Sequence, residues 1–142
     1  MIERQTSMSL TSLAVEQQEY MLSAARAAFE NAYAPYSHFR VGAAVLTYRD
    51  SLYQGCNVEN ASYGLTICAE RAAIFAAVAA EGSDMKIRAI AVCTDRDQPC
   101  APCGACRQVI FEFGPSAVVL FRGHSGPEQT TISNLLPEGF RL

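Results

Sequence analysis

No apolar run in the sequence is long enough for a membrane span: the longest, Ala72 to Ala80, holds nine residues, against the ~20 that a bilayer-crossing helix needs. Dense runs of Lys or Arg are missing too. Eleven basic and 14 acidic side chains give a net charge of −3, which argues against a nucleic-acid polymer as partner, because such binding draws on many cationic phosphate contacts. Charged residues are sparse at 18% while half of the chain is hydrophobic, and that balance excludes a disordered or low-complexity protein. The opening residues lack the clean apolar core of a secretory signal, since Glu3 and Arg4 lead into Thr6, Ser7, Ser9, Thr11 and Ser12. The expectation is a cytoplasmic protein.

What the chain does have is 142 residues and six cysteines. That length suits one domain able to bury roughly two thirds of the surface its unfolded form exposes, so disulfides are not needed for folding. In a reducing compartment the cysteines then read as metal ligands, catalytic thiols or small buried hydrophobes. Residues 1–12 are polar and aperiodic and are expected to form a loose tail, with residues 13–142 as a single domain.

Leu22, Ala25, Phe29 and Ala32 recur at helical steps, predicting an amphipathic helix from about Val15 to Tyr33 that Pro35 helps to end. Val41 to Tyr48 is apolar on both alternating faces, as in a central strand covered on both sides. Arg49, Asp50 and Ser51 suit a turn, and Leu52 to about Val58 returns as the second strand of a hairpin. A second helix is expected from near Cys68 through the Ala-rich segment to Glu81, stopped by Gly82. Ile87 to Thr94 reads as a buried strand, Gly104 to Phe113 as a third helix and Ala117 to Phe121 as a further strand, with a short apolar group at Ile132, Leu135 and Leu136. Helices alternating with buried strands, after an opening hairpin, predict an α/β fold: a three-layer α/β/α sandwich with a mixed central β-sheet.

Two segments carry chemistry: Cys68-Ala69-Glu70 and Pro102-Cys103-Gly104-Ala105-Cys106. Both fall at predicted helix starts, where the partial positive charge of the helix end favours thiolate. Three thiolates around Zn²⁺ would leave a fourth tetrahedral position open for water, as in a catalytic site. Glu70 lies two residues past its cysteine, suitably placed as a general base for a water whose pKa zinc can lower from 15.7 to about 7. The cluster would carry a formal charge of −1, for which Arg71 and the helix ends could compensate. A closed zinc knot, cysteines that merely fill the core, and a thiol-disulfide pair of Cys100 with Cys103 are the competing readings. Cys100 is the rival metal ligand, and Cys56 and Cys93 fall in predicted strands, where a buried thiol is a small hydrophobe.

The segments Ala34-Pro35-Tyr36-Ser37, Phe39 with Val41-Gly42-Ala43-Ala44, Gly55-Cys56-Asn57-Val58-Glu59-Asn60-Ala61, Cys68-Ala69-Glu70-Arg71 and Pro102-Cys103-Gly104-Ala105-Cys106-Arg107-Gln108 together resemble the small homotetrameric zinc-dependent cytidine deaminases. The resemblance runs from Ala34 to Phe140. It implies one zinc per chain on Cys68, Cys103 and Cys106, with Glu70 transferring protons and Arg71 hydrogen-bonding the ligand thiolates. It further implies that Asn57 and Glu59 hold the ribose, that Phe39, Ala69 and Tyr63 contact the substrate, and that Phe140 of another subunit borders the pyrimidine. The implied activity is deamination of cytidine and deoxycytidine in pyrimidine salvage by a homotetramer with shared active sites. An amide and a carboxylate two positions apart on an alternating strand also suit contacts to nearby hydroxyls. Asp50-Ser51 departs from the glycine-containing hairpin turn common in that family. His38 and His124 have no ligand partner in the pattern.

Overall fold

The computed structural model describes residues 13–142; the expected N-terminal tail, residues 1–12, lies outside the described residues. Helix α1 (Val15–Phe29) leads to strands β1 (Val41–Thr47) and β2 (Leu52–Cys56), then helix α2 (Ala69–Glu81) and strand β3 (Ile87–Thr94). Helix α3 (Gly104–Phe113), strands β4 (Val118–Gly123) and β5 (Gly126–Thr131) and a short helix α4 (Ile132–Leu135) complete the order. The five strands lie in the order β2-β1-β3-β4-β5. Only β3 and β4 run parallel; the other neighbours are antiparallel. The sheet is therefore mixed.

All seven residues of β1 are buried, and their alternation feeds two separate cores. Ala43 and Val45 meet Ala73, Ile74 and Ala77 of α2 and Ile110 of α3 on one face. Ala44 and Leu46 meet Met21 and Ala25 of α1 on the other. These are the three layers. Small residues set the layer spacing. At Gly42 an added Cβ would meet the Ala25 carbonyl oxygen and lie 2.6 Å from Phe29 N, so α1 can rest directly on β1 only because no side chain intervenes.

Gly82 caps α2 at φ 85°, a conformation that glycine adopts without the Cβ penalty of other residues. The β1–β2 turn reaches the same left-handed region with Asp50 at φ 59°. Asp is one of the few non-glycine residues that tolerate it, so the hairpin closes without a glycine in the turn. Arg88 Nη1 also donates to Asp50 Oδ1 at 3.1 Å.

Beyond shifts of one or two residues at the ends of β1 and β4, two boundaries and one strand differ from the sequence expectation. Helix α1 stops at Phe29, well before Pro35, and Tyr33 instead bridges Val58. Strand β2 ends at Cys56 rather than Val58, because the chain leaves the β1 ladder there and Val58 pairs with Tyr33 and Ile67. A fifth strand, Gly126–Thr131, lies on the β4 edge where no strand was predicted. No helix among the described residues is long and apolar enough to cross a membrane.

Candidate metal and substrate site

Cys68 and Cys103 are the N-caps of α2 and α3. The segment after β2 runs through the Val58–Ile67 bridge to bring Cys68 to its place. The segment after β3 is pinned by Cys100 N donating to Arg122 O at 2.9 Å, then delivers Cys103. Two helix starts far apart in sequence thus face one another. Cys68, Cys103 and Cys106 bring their sulfurs within 4.8 Å of one another, with 4.0 Å between Cys68 and Cys103.

Zn–S bonds of ~2.3 Å in a tetrahedron place sulfurs ~3.8 Å apart. The three thiols therefore fit a zinc ion in donor chemistry and nearly in spacing. Arg71 Nη2 donates to Cys68 Sγ at 3.3 Å, and the Cys106 N–H points at Cys103 Sγ at 3.5 Å. Of the sulfur pair Cys68 and Cys106, Cys68 ionises first. The proton held on Cys106, followed by the Arg71 guanidinium, lowers the Cys68 thiol to about 5, while the same pairing and burial push Cys106 up.

Glu70 is 4% exposed, and burial raises its carboxyl above the usual range, with the charge on Cys68 adding to the effect. A cavity of about 210 Å³ is lined by Glu70, Cys68, Cys103, Phe39, Asn57 and Thr66, among others. Ala69 and Cys100 also line it. Burial pushes the Cys100 thiol up to about 12, so it stays protonated at neutral pH, unlike the nucleophile of a thiol-disulfide enzyme. Cys100 also lies outside the three-thiol cluster.

Asn57 is 8% exposed and is held at both ends of its amide: Oδ1 accepts from Val41 N at 2.9 Å and Nδ2 donates to Phe39 O at 2.8 Å. Glu59 stands in a neighbouring cavity of about 390 Å³ with Tyr36, Ser37, Tyr63 and Thr66. Its Oε1 accepts from Tyr36 N at 2.9 Å and Ser37 N at 3.1 Å. Hydrogen bonding from Ser37 and Tyr36, the Ser37 side chain foremost, lowers the Glu59 carboxyl. Asn57 and Glu59 thus line adjoining chambers that share Thr66, a residue without any chemical signal in the sequence. Tyr63 sits on a 3₁₀ turn, 75% exposed, edge-on to Tyr36 with ring centroids 5.9 Å apart. Phe140 is 66% exposed and lines neither chamber; its carbonyl accepts from Gln108 Nε2 at 3.2 Å. Arg107 donates to Pro102 O at 2.8 Å and Leu135 O at 3.1 Å. It ties the start of α3 to α4.

A gap between three thiols would suffice for a structural zinc knot, but such a knot has no use for a buried carboxylate opening into the same cavity. The class that combines the two is the zinc-dependent deaminases. Residues 15–122 match the family described as the cytidine and deoxycytidylate deaminase zinc-binding region. A cytidine deaminase of Sporosarcina psychrophila is 46% identical over 124 residues, covering 86% of this chain and 90% of that protein. One from Halalkalibacterium halodurans is 45% identical over 124 residues, covering 86% of this chain and 92% of that protein. The crystal structure of a cytidine deaminase from Burkholderia pseudomallei superposes with a TM-score of 0.77 at 48% identity, covering 86% of this chain and 98% of that one. The chain belongs to the cytidine deaminase family, and its cofactor is zinc.

Proposed function

We propose that this protein hydrolyses cytidine and deoxycytidine to uridine and deoxyuridine with release of ammonia. The observation that carries the reading is the single cavity into which Glu70, Cys68, Cys103, Phe39 and Asn57 all open. Cys68, Cys103 and Cys106 hold zinc, with Arg71 donating to the Cys68 sulfur. When bound there, zinc supplies a nucleophile derived from water at neutral pH and stabilises developing negative charge.

Glu70 takes the proton released as water adds to C4 and delivers it to N3. It then relays a second proton to the departing amino group as the C4 carbonyl forms. Burial suits this shuttle, because raising the carboxyl above its usual range makes its carboxylate a better proton acceptor. Asn57 reads the sugar with the donor and acceptor capacity its backbone contacts leave over. Glu59 acts from the adjoining chamber on a further hydroxyl, and Phe39 and Ala69 wall the pyrimidine.

We further propose that the described residues act as one domain within a homotetramer, in which Phe140 and Tyr63 close the site of a neighbouring subunit. Both rings are largely exposed in the single chain, the state expected of side chains that reach across an interface. All six thiols are free, which suits the reducing cytoplasm. The acidic balance argues against an anionic polymer as substrate.

The test is zinc stoichiometry together with ammonia release from cytidine, deoxycytidine, cytosine and cytidine monophosphate. The expected result is one zinc per chain and clear preference for the nucleosides, since a phosphate near Glu59 meets a carboxylate. Equal processing of cytosine or the monophosphate would refute the sugar chamber.

A further inference from the structure

Phe39, which walls the cavity shared with Glu70, belongs to a segment with one side-chain hydrogen bond of its own, Phe39 N donating to Ser37 Oγ at 3.0 Å. The chain from Tyr36 to Phe39 precedes β1, and His38 within it adopts φ 56°, a left-handed conformation that is uncommon for a non-glycine residue. Contacts from outside the segment hold it there as well, among them Asn57 Nδ2 donating to Phe39 O at 2.8 Å. Glu59 does so from one side through the Tyr36 and Ser37 amides.

From the other side comes Arg96, on the segment between β3 and α3. Its Nη2 donates to His38 O at 3.0 Å and to Ser37 O at 3.3 Å, so one nitrogen grips the carbonyls on either side of the strained peptide. The same guanidinium lies over the Phe39 ring, 5.3 Å from its centroid, within the range of a cation–π contact. Arg96 is itself anchored. Its amide donates to Thr94 Oγ1 at 3.4 Å, Thr94 Oγ1 donates to Arg40 O at 3.1 Å, and the neighbouring Asp95 pairs with Arg40 at 2.9 Å. Arg96 does not line the cavity that holds Glu70 and the thiols.

We propose that Arg96 is a positioning residue that locks the Ser37–Phe39 segment and thereby sets how tightly the substrate ring is held against Phe39. This rests on the deaminase reading for its kinetic consequence but not for the clamp. The planar guanidinium is what the geometry uses: two N–H groups on one nitrogen for two carbonyls, and a flat face for the ring. A lysine keeps the charge but has no flat face to lay on the ring. Because Phe39 packs on the substrate in ground and transition states alike, losing the clamp weakens binding without slowing the chemical step.

The test uses the full-length, zinc-loaded parent with Arg96→Ala, Arg96→Lys, Phe39→Ala and the Arg96→Ala/Phe39→Ala double variant. Amide hydrogen exchange across residues 36–40 reads the clamp without any turnover, and the expected result is exchange about tenfold faster in Arg96→Ala. Unchanged exchange overturns the clamp. In steady-state kinetics with cytidine, Arg96→Ala and Arg96→Lys should both raise KM by about tenfold with kcat within about twofold of the parent. In the Phe39→Ala background, the further change from Arg96→Ala should vanish, because the two act through one contact. An equal Arg96→Ala effect with and without Phe39, a fall confined to kcat, or a parental KM in Arg96→Lys would each overturn the proposal. A parent that exchanges as expected but releases no ammonia from cytidine would instead sink the functional reading and leave the clamp standing.

Discussion

Gly55 offers a way to move the site without substituting any residue that lines it. It sits in β2 directly beneath the first turn of α2. A Cβ added there would lie 2.7 Å from Ala69 O and 2.9 Å from Ala72 C, and closer still to Ala73 N. All three are backbone atoms, so no side chain can rotate out of the way, and Cβ atoms essentially never approach within 3.0 Å. Gly55→Ala therefore forces the start of α2 off the sheet by a displacement on the order of 0.5–1 Å. That start carries Cys68, Ala69 and Glu70, whereas Cys103 and Cys106 ride on α3 and stay behind. The overpacking itself should cost about 1–3 kcal/mol, a fall in Tm of about 3–10 °C for a domain of this size. A misplacement of this order should also reduce kcat/KM by about 10–100-fold and loosen zinc against a chelator. Gly64→Ala is the control, since nothing lies within 4 Å of its Cβ position. Thermal melts, zinc retention and ammonia release on the two variants decide the matter. If Gly55→Ala melts within about 1 °C of the parent with parental kcat/KM, close approach at Gly55 does not set the site's geometry.

Three other substitutions separate the parts of the site. Glu70→Gln should keep its zinc while turnover falls by at least ~10², and a fully metallated variant with parental activity would remove Glu70 from the proton path. Serine at Cys68, Cys103 or Cys106 should each strongly reduce zinc content, whereas Cys100→Ser should retain it; the reverse pattern at Cys100 and Cys106 would reassign the ligands. Phe140→Ala should weaken activity with zinc intact, and co-refolding it with Glu70→Gln should partly restore activity by pairing intact halves across subunits. Mixed tetramers that form without any such recovery would place Phe140 outside its neighbour's site.

The sequence makes some of this molecule plain because local and global signals coincide. Both helix starts at the site are legible: α2 runs from a cysteine cap to Gly82, and α3 follows Pro102. The two-faced burial of β1 is equally legible, since its apolar residues do not alternate with polar ones. Strand β5 is hidden for the opposite reason. Its Gly126-Pro127-Glu128-Gln129-Thr130-Thr131 run is largely exposed and polar, and its pairing to β4 is made by backbone groups that leave no hydrophobic period. The spacing of Asn57 and Glu59 suggests one shared face, but the strand ends at Cys56 and the two side chains line separate chambers. Thr66 and Arg96 carry no motif at all, because their places depend on a bridge between Val58 and Ile67 and on loop contacts to residues 58 and 59 positions away.

The meeting of the α2 and α3 starts has a consequence in chain entropy. Cys68 and Cys103 stand 35 positions apart, and between them lie all of α2 and β3. An ion held by both ends turns that stretch into a closed loop. By the scaling used for covalent cross-links, closing a loop of this length costs an open chain about 4 kcal/mol of freedom, a cost that folding has already met when the ion binds. That is a large share of the 5–15 kcal/mol by which domains are stable. An ion that binds this preformed pair of helix ends and not the unfolded chain should therefore raise the unfolding transition as well as switch on turnover, so that stability rises with the supply of free zinc.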